Sequence, residues 1–187
     1  AKFTGTSQTA RAENHSESEF ELAYKKLKGI DILYEDENIL LLNKPAGILT
    51  QKAAANDISI NEWLIGYLLT HDEKVRADFG TFHPSVCNRL DRNTSGIVLC
   101  GKSLPGSQEL SRIIKERSLQ KYYYTICAGE ITKPQTIEGY LSKNTADNKV
   151  SIGDTGDYIK TAYRPLCAGN GYTFLEVELI TGKTHQI

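Results

Sequence analysis

An α+β domain with a mixed, mostly antiparallel sheet is the fold class this sequence predicts. Two patterns carry that expectation: strand-like runs dominate from Lys121 onward, and only two stretches show strong helical spacing of apolar residues. Length is the third observation, since 187 residues make one domain, or one domain with a tail, large enough to bury a core.

The elements follow in order. Residues 1 to about 29 are polar and read as a linker or tail ending in a short helical turn around Phe20 to Leu27. From Ile30 the texture changes. Ile32-Leu33-Tyr34 and Ile39-Leu40-Leu41-Leu42 read as two short strands joined by the acidic turn Glu35-Asp36-Glu37-Asn38. Asn43-Lys44-Pro45-Ala46-Gly47 ends the second strand, because proline lacks a donor and glycine permits a turn. Ser59 and Glu62 fit a capping box, and Ile60, Trp63, Leu64, Tyr67 and Leu68 follow at helical spacing as a core-facing stripe. Residues 70–85, with Gly80 and Pro84, read as a loop. A second helix is predicted from about Ser107 to Arg117, with Leu110, Ile113 and Ile114 inward. Strands are then predicted at Lys121 to Ala128, Ile137 to Leu141, Tyr158 to Leu166 and Tyr172 to Ile180.

Composition narrows the function classes. The 22 basic and 23 acidic side chains give a net charge of −1, which excludes a uniformly basic nucleic-acid binder but not a local basic stripe. No apolar run approaches the roughly 20 residues of a membrane span, and no signal-peptide pattern opens the chain. A cytoplasmic protein without a membrane partner is therefore expected. Cys87, Cys100, Cys127 and Cys167 are separated by 13, 27 and 40 positions, which matches no zinc-ligand spacing and no secreted disulfide framework. Buried reduced thiols are expected, with no metal site. Methionine is absent and the chain opens at Ala1, which reads as a fragment or a processed chain.

Charge is uneven along the chain. Cys87 to Lys121 holds seven basic residues (Arg89, Arg92, Lys102, Arg112, Lys115, Arg117, Lys121) against three acidic ones, a local +4; residues 32–86 hold four against eight, a local −4. Such a dipolar chain can present a stripe that attracts phosphate, although a solvated helix face with ion pairs gives the same count. Within the basic stretch, Asn88-Arg89-Leu90-Asp91-Arg92-Asn93-Thr94-Ser95-Gly96 is the densest polar run, followed at once by apolar Ile97-Val98-Leu99-Cys100. It predicts a loop held against a sheet edge. Asp91 lies between two arginines that favour its ionised form, and an ionised carboxylate beside recruited phosphates can act as nucleophile or base. A structural Arg–Asp pair is the alternative that composition leaves open.

The order of these residues resembles the catalytic signature of the RluA-type pseudouridine synthases, His-Arg-Leu-Asp-x-x-Thr-Ser-Gly. Three further stretches are similar to that family in the same order: Ile32 to Leu49, Lys121-Tyr122-Tyr123, and Leu179-Ile180-Thr181-Gly182-Lys183-Thr184-His185-Gln186-Ile187. The resemblance covers residues 30–187 and implies the pseudouridine synthase catalytic core, a long mixed sheet flanked by helices with an RNA cleft across it. It implies isomerisation of a uridine already in RNA, with no cofactor or metal. By the same resemblance Asp91 is the catalytic carboxylate, and the uridine must leave its stack to reach it. Arg89 takes the space the base vacates, and Tyr123 packs on the uracil ring. Strand alternation would place Tyr122 and Tyr124 on one face and Tyr123 on the other. Arg92, Lys121, Lys183 and His185 are the expected RNA contacts, and Lys44 a structural or phosphate contact.

Three departures from the family pattern bear on function. Asn88 stands where histidine is usual, and Lys183 where arginine is usual, which keeps the charge but loses bidentate geometry. The chain ends at Ile187, just before the arginine that in the family pairs with the aspartate, so residues 1–187 alone are expected to be weakly active or inactive. Residues 1–29 resemble the linker that follows an S4-type RNA-binding domain in larger members. The expected partner is RNA, ribosomal rather than transfer RNA, bound by a monomer. A catalytically silent RNA-binding module is the competing reading. A glycosidase would need a second carboxylate about 5–9 Å from the first, and none pairs with Asp91 in sequence.

Overall fold

The computed structural model describes residues 19–144, 149–153, 155–183 and 186–187. The chain divides into two compact units, the first ending at Lys115 and the second beginning at Glu116.

In the first unit, helix α1 (residues 19–26) precedes β1 (Asp31–Glu35) and β2 (Ile39–Lys44). Helices α2 (Ile60–His71) and α3 (Glu73–Asp78) follow, then β3 (Ser85–Val86), β4 (Gly96–Gly101) and α4 (Leu104–Lys115). The four strands form one sheet in the order β1-β2-β4-β3, every pairing antiparallel. Leu40 and Leu42 of β2, Val98 of β4, and Ile60, Leu64 and Leu68 of α2 are fully buried. Each contributes about 1.5–3 kcal/mol by leaving water.

Local chemistry sets the boundaries. The Asp36 carboxylate accepts the N–H groups of Asn38 and Ile39 at 2.7 and 2.8 Å, closing the β1–β2 turn, and those bonds hold its carboxyl below the ordinary range. Ser59 caps α2 as predicted: its Oγ accepts the Asn61 N–H and donates to Glu62 Oε2 at 2.6 Å. Residues 70–85 are not all loop. Asp72 accepts the Val75 N–H at 3.1 Å and starts the short α3, a cap that Gly80 and Pro84 obscured in the sequence. Helix α4 begins three residues earlier than predicted, at Leu104, because Ser103 Oγ accepts the Gly106 N–H and proline is tolerated in a first helical turn. It stops at Lys115, and Arg117 takes a left-handed φ of 56°. The α1 segment is more than a turn: its Phe20 carbonyl lies so close to Gly66 of α2 that any β-carbon there would stand 2.2 Å away. Tyr24 adds a 2.9 Å bond to His71 Nε2 and ring contacts with Trp63 and Tyr67.

A buried cation ties β1 to α3. Lys102 Nζ lies 2.7 Å from Glu35 and 3.0 Å from Asp72, and donates to the Asp36 carbonyl at 2.9 Å. Burial works against its ammonium, and the two carboxylates overcome that and raise its pKa. Burial likewise opposes the Asp72 carboxylate, but the Val75 N–H and Lys102 hold its carboxyl below the ordinary 3.8. Burial and Glu35 push the Tyr67 phenol up to about 12. Lys102→Met should cost about 3 kcal/mol in urea unfolding, since two partly buried carboxylates lose their counter-ion. A carboxyl with a depressed folded pKa stabilises above its ordinary value and loses that contribution as pH falls through the folded value. The difference between Lys102→Met and wild type should therefore narrow below pH 3.8.

The second unit is a sheet in the order β5-β9-β8-β6-β7, again antiparallel throughout. Its strands are β5 (Tyr122–Ala128), β6 (Gln135–Asn144), β7 (Lys149–Gly153), β8 (Asp157–Gly169) and β9 (Tyr172–Leu179). The α+β class holds, but among the described residues the strands form two sheets rather than one long one, and the parallel pairing is the isolated Leu49–Ser59 bridge. β3 and β7 had no strand signal. One face of the second sheet is buried through Thr173, Leu175 and Val177 of β9, while Tyr172 and Phe174 are exposed on the other. β8 carries an irregularity between Pro165 and Cys167. The expectation of four buried thiols fails at Cys167, which is exposed beside that irregularity; Cys100 is buried and Cys87 and Cys127 are half-buried. Burial pushes the Cys87 and Cys100 thiols up. Among the described residues, no helix is long and apolar enough to cross a membrane.

Candidate active site

The nine-residue polar run predicted as a loop connects β3 to β4, two strands paired with each other. Alternate residues of this loop are fastened to the body of the first unit. Asn88 Nδ2 donates to the Ile97 carbonyl at 3.2 Å and Asn88 Oδ1 accepts the Leu99 N–H at 2.7 Å, so the amide closes the loop onto β4. Both bonds reach the backbone, which accounts for an amide at this position. Leu90 is buried, and its own N–H and carbonyl both bond to Thr50 Oγ1, at 3.1 and 2.7 Å. The Arg92 carbonyl accepts from Gly47 N at 2.7 Å and from Lys44 Nζ at 3.1 Å. Gly47 presents that N–H from a φ of +92°, a conformation a side chain would strain.

Lys44 is completely buried, and its ammonium hydrogens match three carbonyl oxygens: Ile48 at 2.8 Å, Pro45 at 3.0 Å and Arg92 at 3.1 Å. Of the two roles expected for it, the structural one is realised, since no phosphate reaches a buried ammonium. Burial lowers its pKa, and the negative charge of Asp91 works in the opposite direction.

Between these fixed points Arg89, Asp91 and Arg92 present exposed side chains. The Asp91 carbonyl accepts the Thr94 N–H at 3.0 Å, which turns the chain back toward β4. An exposed aspartate between two exposed arginines in the chain, on a loop anchored at three positions, suits chemistry on an anionic polymer: the arginines attract phosphate, and the anchoring fixes the backbone that carries the carboxylate.

The second unit holds the remaining described candidates. Tyr123 is half-buried opposite Val177, whereas Tyr122 and Tyr124 are exposed, so the alternation predicted for the three tyrosines is present. Lys121 is half-buried, and burial followed by the charge of Arg117 lowers its pKa. Its Nζ would stand 3.1 Å from a β-carbon on Gly182, which brings the Lys121 and Thr181–Lys183 segments together. Lys183 Nζ is 3.0 Å from Asp157. Its loop is closed by Gln186, whose Oε1 accepts from Lys183 N and Thr181 Oγ1 and whose Nε2 donates to the Lys160 carbonyl and to Thr161. His185 lies outside the described residues. Sequence reasoning missed Thr50, for which a polar residue closing an apolar run was the only signal, and gave no individual role to Thr181 and Gln186, which lie in the late stretch similar to the family. Among the described residues, no three His, Cys, Asp or Glu side chains gather where they could hold a metal ion.

Comparison with known proteins places the chain in a family. The sequence pattern of a family described as RNA pseudouridylate synthase matches residues 38–187. The ribosomal large subunit pseudouridine synthase D of Borreliella burgdorferi is 31% identical over 166 residues, covering 84% of this chain and 49% of that protein. The Escherichia coli K12 protein of the same name is 29% identical over 189 residues, covering 100% of this chain and 55% of its own length. The chain therefore spans about half the length of these relatives. Two solved structures share the fold: human RNA pseudouridylate synthase domain containing 4, with a TM-score of 0.65, 17% identity, and coverage of 93% of this chain and 66% of that one, and human RNA pseudouridylate synthase domain containing 1, with a TM-score of 0.64, 20% identity, and coverage of 84% and 62%. With the family pattern reaching from β2 to the last residue and taking in the anchored Asp91 loop, this chain belongs to the RNA pseudouridylate synthase family, in its RluA-type branch.

Proposed function

We propose that this chain carries the catalytic machinery of a cytoplasmic, monomeric enzyme that converts uridine to pseudouridine in structured RNA, with large-subunit ribosomal RNA as substrate and Asp91 as the catalytic carboxylate. The observation that supports this reading best is the mounting of Asp91: exposed, between Arg89 and Arg92, on a loop fastened by Asn88, Thr50 and Lys44. In the reaction the N1–C1′ bond breaks, the uracil rotates, C5 bonds to C1′, the C5 proton leaves to solvent and N1 takes up a proton in its place. Asp91 acts either on the sugar or base as nucleophile or on a sugar proton as base, and both routes need an ionised carboxylate close to C1′.

Arg89 fills the space left by the extruded base, and Tyr123 packs on the uracil ring. Arg92, Lys121, Lys183 and His185 contact the RNA backbone. No metal or organic cofactor enters the scheme. The preference for ribosomal over transfer RNA rests on the names of the curated relatives. The test is nucleoside analysis after incubating the full-length polypeptide with unmodified ribosomal or transfer RNA. A new pseudouridine peak in the ribosomal sample is expected. A peak in transfer RNA alone would move the substrate, and RNA binding without any peak would favour the silent binding module.

A further inference from the structure

The anchoring of the Asp91 loop is unequal in one respect. Asn88 is fastened through its own side-chain amide and Arg92 through a carbonyl that accepts from both Gly47 and Lys44, but Leu90, the residue next to Asp91, takes both of its backbone bonds from a single hydroxyl. Thr50 Oγ1 donates to the Leu90 carbonyl at 2.7 Å and accepts the Leu90 N–H at 3.1 Å, and Thr50 itself is 2% exposed. A hydroxyl that takes both roles toward one residue fixes the peptide planes on either side of it, and the peptide after Leu90 is the one that leads into Asp91.

Thr50 is itself tied to helix α2. Its carbonyl accepts the Asn61 N–H at 3.1 Å, and the preceding Leu49 carbonyl accepts the Ile60 N–H at 2.9 Å, so this segment is bonded to the first turn of α2. That helix is capped by Ser59 and buries Ile60, Leu64 and Leu68 completely. The same turn holds β3, because Asn61 Oδ1 accepts the Val86 N–H at 3.1 Å. A continuous path of hydrogen bonds therefore runs from the α2 N-terminus through Thr50 to Leu90, with the covalent chain completing it to Asp91. Burial of the Leu90 side chain leaves that residue little other freedom.

We propose that Thr50 is a positioning residue for Asp91, setting the placement of its carboxylate through the Leu90 backbone; this rests on Asp91 being the catalytic carboxylate. Valine matches threonine in shape but offers no hydroxyl, whereas serine keeps the hydroxyl and loses only a methyl. In the full-length polypeptide Thr50→Val should lower kcat about 10- to 100-fold, the scale of a reacting group displaced by a fraction of an ångström to an ångström. KM for RNA should stay within about twofold of wild type on the same reasoning, because Thr50 is buried away from the polymer. Thr50→Ser should keep more than half of kcat.

Amide hydrogen exchange at Leu90 gives a readout independent of activity, with faster exchange expected in Thr50→Val and not in Thr50→Ser. A Thr50→Val enzyme that keeps full kcat would overturn the proposal. A loss that merely tracks the unfolded fraction in a denaturation curve would overturn it too, as would a serine variant as impaired as valine. If wild type forms no pseudouridine while Leu90 exchange still responds to Thr50→Val, the assignment of the reaction fails. Thr50 is then an anchor without catalytic consequence, which also overturns the proposal.

Discussion

Asp91→Asn should leave folding and RNA affinity essentially unchanged and lower uridine isomerisation by about 10²–10⁴-fold, the range for losing a positioned acid–base or nucleophilic group. The side chain is exposed, and the variant keeps the bonds of Asn88, of the Leu90 backbone and of the Arg92 carbonyl that fasten its loop. The amide keeps the size of the carboxylate but neither its charge nor its basicity. Filter binding to ribosomal RNA and single-turnover kinetics separate the two quantities. Equal loss of binding and rate would mean that Asp91 only recruits RNA.

Lys44→Met should have the largest effect on stability, about 3 kcal/mol or more in urea unfolding. Methionine fills similar space but donates nothing, and the carbonyls of Pro45, Ile48 and Arg92 would lose their shared donor. A buried polar group left without a partner costs about 1–3 kcal/mol, and Gly47 N remains to satisfy only the Arg92 oxygen. Activity should fall as well, because the Arg92 side of the Asp91 loop loosens, and low temperature should restore folding before it restores rate. An unfolding curve indistinguishable from wild type would show that the three carbonyls find other donors.

These two residues also show what the sequence makes legible. Asp91 stands out because the features that single it out are its neighbours in the chain: arginines on either side, a turn after it and a buried strand beyond. The helix from Ile60 is legible for the same reason, since Ser59, Glu62 and the apolar stripe are all local. Lys44 is different. Its burial depends on a carbonyl 48 residues away, and a lysine in a proline–glycine turn otherwise reads as a surface charge. Thr50 is hidden in the same way, because the Leu90 groups it serves are 40 positions distant. Short elements fail for a third reason: α3 has six residues and β3 two, too few for periodicity to register, and each is fixed by a partner elsewhere, Lys102 for the Asp72 cap and Asn61 for Val86. Cys167 reads as another buried thiol because nothing local announces the irregularity that exposes it.

If Asp91 drives exchange of the N1–C1′ bond for a C5–C1′ bond, release of the C5 hydrogen reports that exchange directly. Ribosomal RNA transcribed with uridine tritiated at C5 should lose tritium to water when incubated with the full-length polypeptide, one equivalent for each pseudouridine formed. The Asp91→Asn protein should bind the same RNA and release essentially none. Equal release by the two proteins would contradict the account and remove Asp91 from the chemistry.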